Sequence, residues 1–447
     1  MKNIIYVNVL GGPPFQYVLS KLTKEVNVWV VQTEDIAEAE LNDLKSLINH
    51  LVMPEDIPNN VSLITFLSDL AREISAEAII TFDEFHLDEV SQVNDKLGLK
   101  GPGSSVTNSL RKDVMYTFFE KHGLLNRKFF ASSNPTEVLN HHIDFPYLIK
   151  PSNCAGSLGI SLINNQEEAD DLESILGKTT QLIEETIDTM PYKSHLKSQP
   201  LIKEGMLVGD SSCWFGENSP YADYISVEGV VINGTYHPVA ITQNLPMIYP
   251  FTETVSMSPC TLSVDKQKLI VDKIKPCIES LGLDYCGTHT EIKLLANNEI
   301  AIIESAARFA GWSIIPQIEA SFGVDIISEY MDIVYNKESQ IKSDFFNTLE
   351  NKKAYSATIS LLPADEHSQP WKEQIVYRQA PDLTSVIAPS STCQFTPYIM
   401  ENDVIYPMSE MSGAWNSFGK VFLVAEDEET LLSDIESIRK NLKTLIS

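Results

Sequence analysis

The first hundred residues alternate short apolar runs with segments whose apolar positions recur every three to four residues. Apolar, β-branched runs lie at 4–10, 26–31 and 78–82, and helical spacing separates them at 16–22 and, in more polar form, at 34–48. Strands that alternate with helices favour a parallel sheet built from βαβ units. The Gly- and Pro-rich stretch 98–103 predicts a break before the next unit.

The rest of the chain mixes segments of helical spacing with short apolar runs. Helical spacing predicts helices at 109–122, 265–281 and 428–445, and apolar runs predict strands within 144–164 and at 181–187, 224–232, 236–242, 287–295 and 299–304. Asn233-Gly234 between two of these strands is a strong hairpin signal. Residues 190–222 show no clear period, which favours a long loop. We therefore expect an α/β unit followed by α+β units.

The charge balance limits the possible partners. The 447 residues carry 33 Lys and Arg against 61 Asp and Glu, a net charge of −28. A surface this negative repels nucleic-acid phosphates and anionic lipid headgroups, so neither nucleic acid nor a membrane is an expected partner. A bound anion would need a few well-placed cations and backbone amides.

The start of the chain raises the question of an export signal. Its apolar stretch is short and runs into Gly11-Gly12-Pro13-Pro14 without a small-residue cleavage site, so a buried first strand is expected instead. No apolar run approaches the roughly 18 residues that span a bilayer. The expected location is the cytoplasm.

Two acidic residues are the sharpest candidate for chemistry. Glu291 lies in one predicted strand and Glu304 ends the next, with a tight turn between them. Neighbouring strands would place both carboxylates side by side, where a cation relieves their repulsion, and hard oxygen ligands suit Mg²⁺ on phosphates. Arg308, four residues later, could meet an anion on that metal. The alternative is a solvated acidic hairpin edge with a surface arginine.

Two further segments are weaker candidates. Lys150 ends an apolar strand and precedes a small-residue loop with Gly156 and Ser157, a pattern that can hold phosphates by charge and backbone amides. An ordinary surface turn is the alternative. In the predicted strand 182–187, backbone groups and one carboxylate could pair with an adenine edge, whereas a plain edge strand would have no ligand.

Together, and in this order, these segments resemble the ATP-grasp superfamily over roughly residues 100–340. That fold holds ATP between two α+β lobes, and its members join a carboxylate to an amine through an acyl phosphate. The resemblance implies that Lys112 and Lys150 bind phosphates and that Gly156 and Ser157 belong to a glycine-rich loop. It also implies an adenine hinge at Glu184, Glu185, Thr186 and Ile187, and magnesium ligands at Glu291 and Glu304.

Four segments sharpen the likeness to the L-amino acid ligases, which make dipeptides. They are residues 222–229, 251–254, 288–293 and 304–312. The resemblance implies that Glu253 holds the ammonium of the first amino acid and that Arg308 contacts the acyl phosphate. It also implies a substrate cavity lined by His289, Gly311 and Trp312, with Arg308 and Lys150 as the catalytic cations.

The resemblance therefore implies a ligase that uses ATP and Mg²⁺, with Mn²⁺ as an alternative metal, to join two amino acids into a dipeptide. A homodimer is one option for its assembly. Two other functions stay open: a related ligase acting on a non-proteinogenic or β-amino acid, and a nucleotide-binding module without turnover. Both metal carboxylates and the arginine are present, and a binding module would not need all three.

The same reasoning divides the chain into four units. A Rossmann-like pre-ATP-grasp domain is expected at 1–100, the central or small lobe at 101–190, and the large lobe with the metal and substrate site at 191–340. A C-terminal capping subdomain is expected at 341–447. The fold class is thus α/β and α+β.

Overall fold

The computed structural model describes most of the chain, and the statements below concern those residues. They are 2–9, 11–22, 26–36, 47–58, 60–153, 156–189, 199–335, 337–343, 346–408 and 412–447, without the side chains of 179, 182, 183 and 185–189. Most of the polar helix predicted at 34–48 lies outside the described residues.

The N-terminal unit is a four-stranded parallel sheet in the order β3-β2-β1-β4. Its elements are β1 (Asn3–Asn8), α1 (Phe15–Leu22), β2 (Asn27–Gln32), β3 (His50–Val52), α2 (Leu63–Glu73), β4 (Ala78–Thr81) and α3 (Leu87–Leu97). Strands β1 and β4 are buried along almost their whole length, on both faces, which explains their continuous apolar runs. The predicted parallel α/β arrangement is confirmed.

The second unit contains a four-stranded antiparallel sheet in the order β5-β8-β6-β7. Its elements are α4 (Thr107–Leu110), α5 (Lys112–Lys121), β5 (Phe129–Ser132), α6 (Pro135–Asn140), β6 (Tyr147–Pro151), β7 (Ser161–Ile163), α7 (Gln166–Asp170), α8 (Leu172–Thr189) and β8 (Leu201–Gly205). Strand β8 pairs with both β5 and β6, so this lobe extends past the predicted boundary at residue 190.

Two local predictions in this region are wrong. The strand predicted at 181–187 is the last part of helix α8. Its Leu182-Ile183 pair continues a three-to-four-residue spacing from Leu172 and Leu176, and this helical period outweighs a short apolar run. The long loop predicted at 190–222 contains β8 and the short helix α9 (Ser211–Phe215).

An eight-stranded sheet joins the remaining two units, in the order β13-β12-β9-β10-β11-β14-β18-β16. The large-lobe elements are β9 (Tyr224–Ile232), β10 (Thr235–Asn244), β11 (Val255–Ser258), α10 (Val264–Ser280), β12 (Cys286–Leu294), β13 (Ile300–Ala306), α11 (Ile314–Phe322) and α12 (Ile326–Val334). The C-terminal elements are β14 (Tyr355–Leu361), β15 (Ile375–Val376), β16 (Thr392–Pro397), β17 (Val404–Ile405), β18 (Gly419–Ala425) and α13 (Glu428–Ile446). The hairpin predicted at Asn233-Gly234 connects β9 and β10.

The C-terminal unit is attached through this sheet and not only packed on it. Strand β11 of the large lobe pairs antiparallel with β14, and β18 and β16 continue the sheet beyond it. The unit also has an apolar core, in which α13 covers β14 and β18. Its strands therefore stand in fixed register with the large lobe, and two of them, β16 and β18, reach the cavity described below.

An apolar core connects the N-terminal sheet with the large lobe. Phe82, just past β4, lies 5.3 Å from Phe309 between ring centroids, and both rings contact Tyr330 of α12. These side chains are almost completely buried. Because Phe82 and Phe309 are held together, the polar residues that follow and precede them, Glu84 and Arg308, are brought to the same place.

Among the residues that the structure describes, no helix combines the length and the apolar character needed to cross a bilayer.

Candidate active site

A single cavity of about 1700 Å³ brings together most of the residues that the sequence singles out. This exceeds the roughly 300–1,000 Å³ of an ordinary small-molecule pocket, so it has room for a nucleotide and further small ligands. The predicted residues on its wall are Lys112, Lys150, Gly156, Ser157, Glu253, His289, Glu291, Glu304, Arg308, Gly311 and Trp312. Their individual roles stay predictions.

The predicted adenine hinge does not form the strand on which its assignment rested. Glu184 is an exposed residue of helix α8, and the same helix continues through Glu185, Thr186 and Ile187, so the hinge strand predicted there is wrong. Strand β6 pairs with β7 and β8, and the chain at the end of β8 lines the cavity through Glu204, Met206 and Leu207. A strand end of the small lobe therefore does reach the cavity, at 204–207 and not at the predicted 184–187.

The two predicted metal carboxylates are direct cross-strand partners. Glu291 on β12 is in register with Glu304 on β13, and the ladder shifts immediately after Glu291. Within the described residues, no group of three or more His, Cys, Asp or Glu side chains is arranged to hold a metal ion. The donor set still fits Mg²⁺, because two hard carboxylates can share the cation with phosphate oxygens from a ligand.

A lysine holds the second of these carboxylates in place. The Lys112 ammonium, at the start of α5, lies 2.8 Å from a Glu304 oxygen, and both side chains are mostly buried. Burial alone would raise the pKa of Glu304, but Lys112 outweighs it and the pKa falls below its usual value. Glu304 therefore stays ionised, as a metal ligand must be.

Lys150 belongs to a buried ionic cluster. Its ammonium lies 2.8 Å from one oxygen of Glu204, and the Arg127 guanidinium lies 3.0 Å from the other. Both cations also lie over the ring of Tyr116, at 5.6 and 4.5 Å from its centroid. Burial alone would raise the pKa of Glu204, but Arg127 and Lys150 lower it to about 2. The cluster fixes the Lys150 ammonium at the cavity wall.

We expect Glu204→Gln to lower the free energy of unfolding by about 3–5 kcal/mol near neutral pH, because it leaves two buried cations without their counter-charge. The pKa of Glu204 is lower in the folded chain than its ordinary value, so its stabilisation is complete above the ordinary pKa and is lost as the pH falls towards about 2. Urea unfolding at neutral pH and at about pH 3 should therefore show the gap between variant and wild type shrinking with acid.

Glu77→Gln is the control for this prediction. Glu77 also pairs with a lysine, Lys2, at 2.7 Å, but the side chains are about half exposed, so little change is expected at either pH. If the difference in unfolding free energy between Glu204→Gln and wild type did not shrink in acid, the effect would not be ionic in origin.

Arg308 is held by a residue of the N-terminal unit. Its Nε donates to Glu84 Oε2 at 2.7 Å, and Nη1 donates to the Phe309 carbonyl at 2.9 Å. Arg308 is only 8% exposed. Burial opposes its charge, but Glu84 outweighs burial and raises the pKa of the guanidinium. Two of its nitrogens are thus anchored, which fixes the orientation of the planar group at the cavity.

The predicted substrate residues His289 and Glu253 share the cavity wall with Glu291. His289 Nδ1 is 2.6 Å from the buried Glu228, and its Nε2 is 3.5 Å from Glu291. Burial lowers the pKa of His289, but Glu228 outweighs it and raises the pKa to about 10. Burial and the Glu291 charge raise the pKa of Glu253 to about 7. The part of the cavity wall around Glu291 therefore carries more carboxylates than cationic groups.

Gly311 and Trp312 follow Arg308 where the large lobe meets the N-terminal loop at 11–14. A Cβ at Gly311 would lie 2.6 Å from the Gly11 carbonyl oxygen, so no larger residue fits without moving the backbone. Trp312 has φ of +56°, a conformation that is costly for a residue with a side chain. Its half-buried indole lines the cavity and lies outside the apolar cores. Strain of this kind is typical of functional sites.

The glycine-rich loop also has special backbone geometry. Gly156 and Ser157 have φ of +66° and +59°, and both line the cavity. The backbone amide of Ala414 in the C-terminal unit donates to the Gly156 carbonyl at 3.0 Å. Successive residues in unusual conformations can direct amides towards an anion, as the prediction of a phosphate loop requires.

Several residues on this cavity or behind it were missed by the sequence analysis. They are Glu84, Arg127, Glu204, Glu228 and Lys420. A signal existed for Glu84, which follows a buried parallel strand at the edge where ligands bind in α/β sheets. Glu228 is an acid inside an apolar run. The contacts of Arg127 and Lys420 are made across long sequence separations, and no local pattern marks them.

Comparison with known proteins agrees with the ATP-grasp resemblance of the sequence. The ATP-grasp domain family matches residues 143–315. The alanine–anticapsin ligase of Bacillus subtilis is 35% identical over 298 residues, which is 66% of this chain and 61% of that protein. The alignment thus spans less than two thirds of the length of this relative.

Solved structures support the fold along the whole chain. The L-amino acid ligase from Bacillus licheniformis superposes with a TM-score of 0.75 at 16% identity, over 98% of this chain and 97% of that one. The biotin carboxylase domain of a Hydrogenobacter thermophilus carboxylase, solved with MgADP, gives a TM-score of 0.61 at 16% identity, over 95% and 86%. The domain match therefore shows an ATP-grasp domain at residues 143–315, and the superpositions show that the chain shares the overall fold of these ligase and carboxylase structures.

Proposed function

We propose that this protein is an ATP-dependent ligase that joins two L-amino acids into a dipeptide through an aminoacyl phosphate, releasing ADP and phosphate. One observation carries the proposal: the Glu291–Glu304 pair shares a single large cavity with three mostly buried cations, Lys112, Lys150 and Arg308. Paired carboxylates with surrounding cations suit a reaction in which phosphate is transferred and negative charge accumulates.

The nucleotide would lie between the small lobe and the large lobe. Lys150 and the loop at Gly156 and Ser157 would meet its phosphates, and the apolar side chains of Met206 and Leu207 at the end of β8 would contact the adenine. Glu291 and Glu304 would hold Mg²⁺, which neutralises phosphate charge when bound. ATP-grasp enzymes in general use ATP and Mg²⁺, which supports both assignments.

The first amino acid would lie on the opposite side of the carboxylate pair. Glu253 would accept its ammonium group, and Arg308 would meet its carboxylate and the phosphate that forms on it. His289, fixed by Glu228, would complete this wall beside Gly311 and Trp312. A carboxylate placed to face an ammonium discriminates amino acids from other carboxylic acids.

The proposed chemistry has two steps. A carboxylate oxygen of the first amino acid attacks the γ-phosphorus of ATP, the bond to the β-phosphate oxygen breaks, and ADP leaves. The neutral amine of the second amino acid then attacks the acyl carbon, phosphate leaves, and the amine gives up a proton. Arg308 is always protonated and its orientation is fixed, so it can stabilise the anionic tetrahedral adduct without reorganisation.

The comparisons support amino acids as substrates, since the relatives include an alanine–anticapsin ligase and an L-amino acid ligase. A related ligase for a non-proteinogenic or β-amino acid is the second candidate, because anticapsin in that name is not a standard amino acid. A nucleotide-binding module without turnover is disfavoured by the ionised Glu304 and the anchored Arg308.

Hydroxylamine trapping tests the proposal directly. With one amino acid, ATP, Mg²⁺ and hydroxylamine, we expect an aminoacyl hydroxamate together with ADP and phosphate, because hydroxylamine takes the place of the second amine. A panel of the twenty amino acids, with β-amino acids added, would identify the first substrate. Formation of AMP and pyrophosphate would indicate an adenylate and would contradict the proposal, as would the absence of hydroxamate with every acid.

A further inference from the structure

One wall of the cavity comes from the C-terminal unit, to which the predicted site assigns no residue. Strands β16 and β18 and the segment before β18 contribute mostly uncharged side chains there. They are Gln394, Thr396, Pro397, Tyr398, Ala414, Trp415, Ser417 and Phe422. Lys420 of β18 is the charged residue that this unit places on the wall, among the residues that the structure describes.

Lys420 differs from the other lysines and arginines of the cavity. Each of those has a carboxylate partner within 3.0 Å: Lys112 with Glu304, Arg127 and Lys150 with Glu204, Lys293 with Asp223, and Arg308 with Glu84. The Lys420 ammonium donates to the Trp312 carbonyl at 3.4 Å. Across the described ranges, no carboxylate lies within ion-pair distance of it.

The surroundings of Lys420 explain why the lack of a carboxylate partner matters. Lys420 lies in register with Thr396 on one side and Ser360 on the other, so its neighbours in the sheet are uncharged. Burial lowers the pKa of Lys420 to about 8. A largely buried ammonium without a counter-charge is costly, and an anionic ligand in the cavity would relieve that cost.

The position of Lys420 narrows the identity of this anion. The ATP phosphates would have Lys112, Lys150 and the magnesium ligands, and the first amino acid would have Glu253 and Arg308. The carboxylate of the second amino acid takes no part in the reaction and stays anionic throughout. The Lys420 ammonium donates to the carbonyl of Trp312, four residues after Arg308, which places it on the part of the wall near the proposed acyl phosphate.

We propose that Lys420 binds the free carboxylate of the second amino acid and thereby directs its amine at the acyl phosphate. The inference rests on the proposed function and extends it, because it makes the C-terminal unit the part of the protein that selects an amino acid as the attacking amine. Lys420 is then a substrate-binding residue of the second step and has no part in the first.

The experiment compares acceptors with and without a carboxylate. Once hydroxamate trapping has identified the first amino acid, the second is supplied as the free acid or as its amide. We expect Lys420→Met to lower kcat/KM for the free acid by roughly ten- to a hundredfold, the range for a lost charge-assisted hydrogen bond. The amide and hydroxylamine lack the carboxylate, so their rates should change by less than about twofold.

Two further variants make the result specific. Lys420→Arg keeps the charge and should retain most of the preference for the free acid. Lys266→Met is the matched control, because the Lys266 ammonium also donates to backbone carbonyls, those of Cys213 and Trp214, and is not on the cavity wall. It should leave the preference unchanged, and melting temperatures would verify that all three variants are folded.

The possible outcomes separate this inference from the proposed function. If the wild type forms hydroxamate and Lys420→Met loses kcat/KM equally for the free acid and the amide, the role of Lys420 is overturned but the proposed function is not. Loss of hydroxamate formation in Lys420→Met would place the lysine at the ATP phosphates and also overturn it. Absence of hydroxamate from the wild type overturns both. Selective loss on the free acid supports the inference.

Discussion

Glu304→Gln is expected to fold and to lose dipeptide formation by more than about a hundredfold, since even outer-shell partners of a metal site are typically worth 10- to 100-fold. Its amide oxygen can still accept the hydrogen bond from Lys112, now 2.8 Å from the carboxylate, so the local structure should survive. The amide lacks the charge that a hard divalent cation requires. Phosphate release at saturating ATP measures the loss.

A binding measurement separates metal loss from misfolding. MgADP should raise the melting temperature of the wild type by mass action, and the rise should be much smaller in Glu304→Gln. Glu304→Asp keeps the charge and should recover part of the activity at high Mg²⁺.

Glu299→Gln is the matched control for Glu304→Gln. Glu299 precedes β13 on the same hairpin and is also paired with a lysine, Lys273 at 2.9 Å, but it is 62% exposed. It should behave as wild type in both assays. Near-normal turnover in Glu304→Gln, or an equal loss in Glu299→Gln, would contradict the metal assignment.

The predictions that succeeded rested on local patterns. The hairpin that carries Glu291 and Glu304 was visible because two apolar runs flank a tight turn, and strand alternation then implied that the carboxylates are neighbours. The parallel N-terminal sheet followed in the same way from its β-branched runs. In both cases the relevant contacts lie between elements that are adjacent in sequence, so periodicity was sufficient.

The predictions that failed needed information from distant segments. The strand predicted at 181–187 competed with a longer helical period, and β6 pairs with β8, across a long insertion, as well as with β7. The partners of Arg308 and Lys150 are separated from them by 224 and 54 positions, and no sequence pattern connects a cation with an acid so far away. The resemblance supplied the cations, but the structure was needed to supply what positions them.

Arg308→Lys is expected to lower kcat for dipeptide formation by about 10²- to 10³-fold, the loss typical when one preorganised donor to a developing oxyanion is removed. Lysine keeps the charge but not the planar fork, so it cannot donate both to Glu84 and to the Phe309 carbonyl while also facing the acyl phosphate. Hydroxamate formation should fall with dipeptide formation, because the acyl phosphate itself needs this cation. The affinity for MgADP, measured by thermal shift, should stay near the wild-type value.

Glu84→Gln distinguishes the positioning of Arg308 from its charge. The amide can still accept from Arg308 Nε, so we expect a smaller loss, and in the double variant with Arg308→Lys the effects should not add, because the two side chains share one contact. Arg72→Lys is the control, since Arg72 pairs with Asp69 at 3.0 Å on an exposed helix face. Additive losses in the double variant would mean that Glu84 acts independently of Arg308. If Arg308→Lys lost stability without a change in kcat, Arg308 would be a structural residue that joins the N-terminal unit to the large lobe.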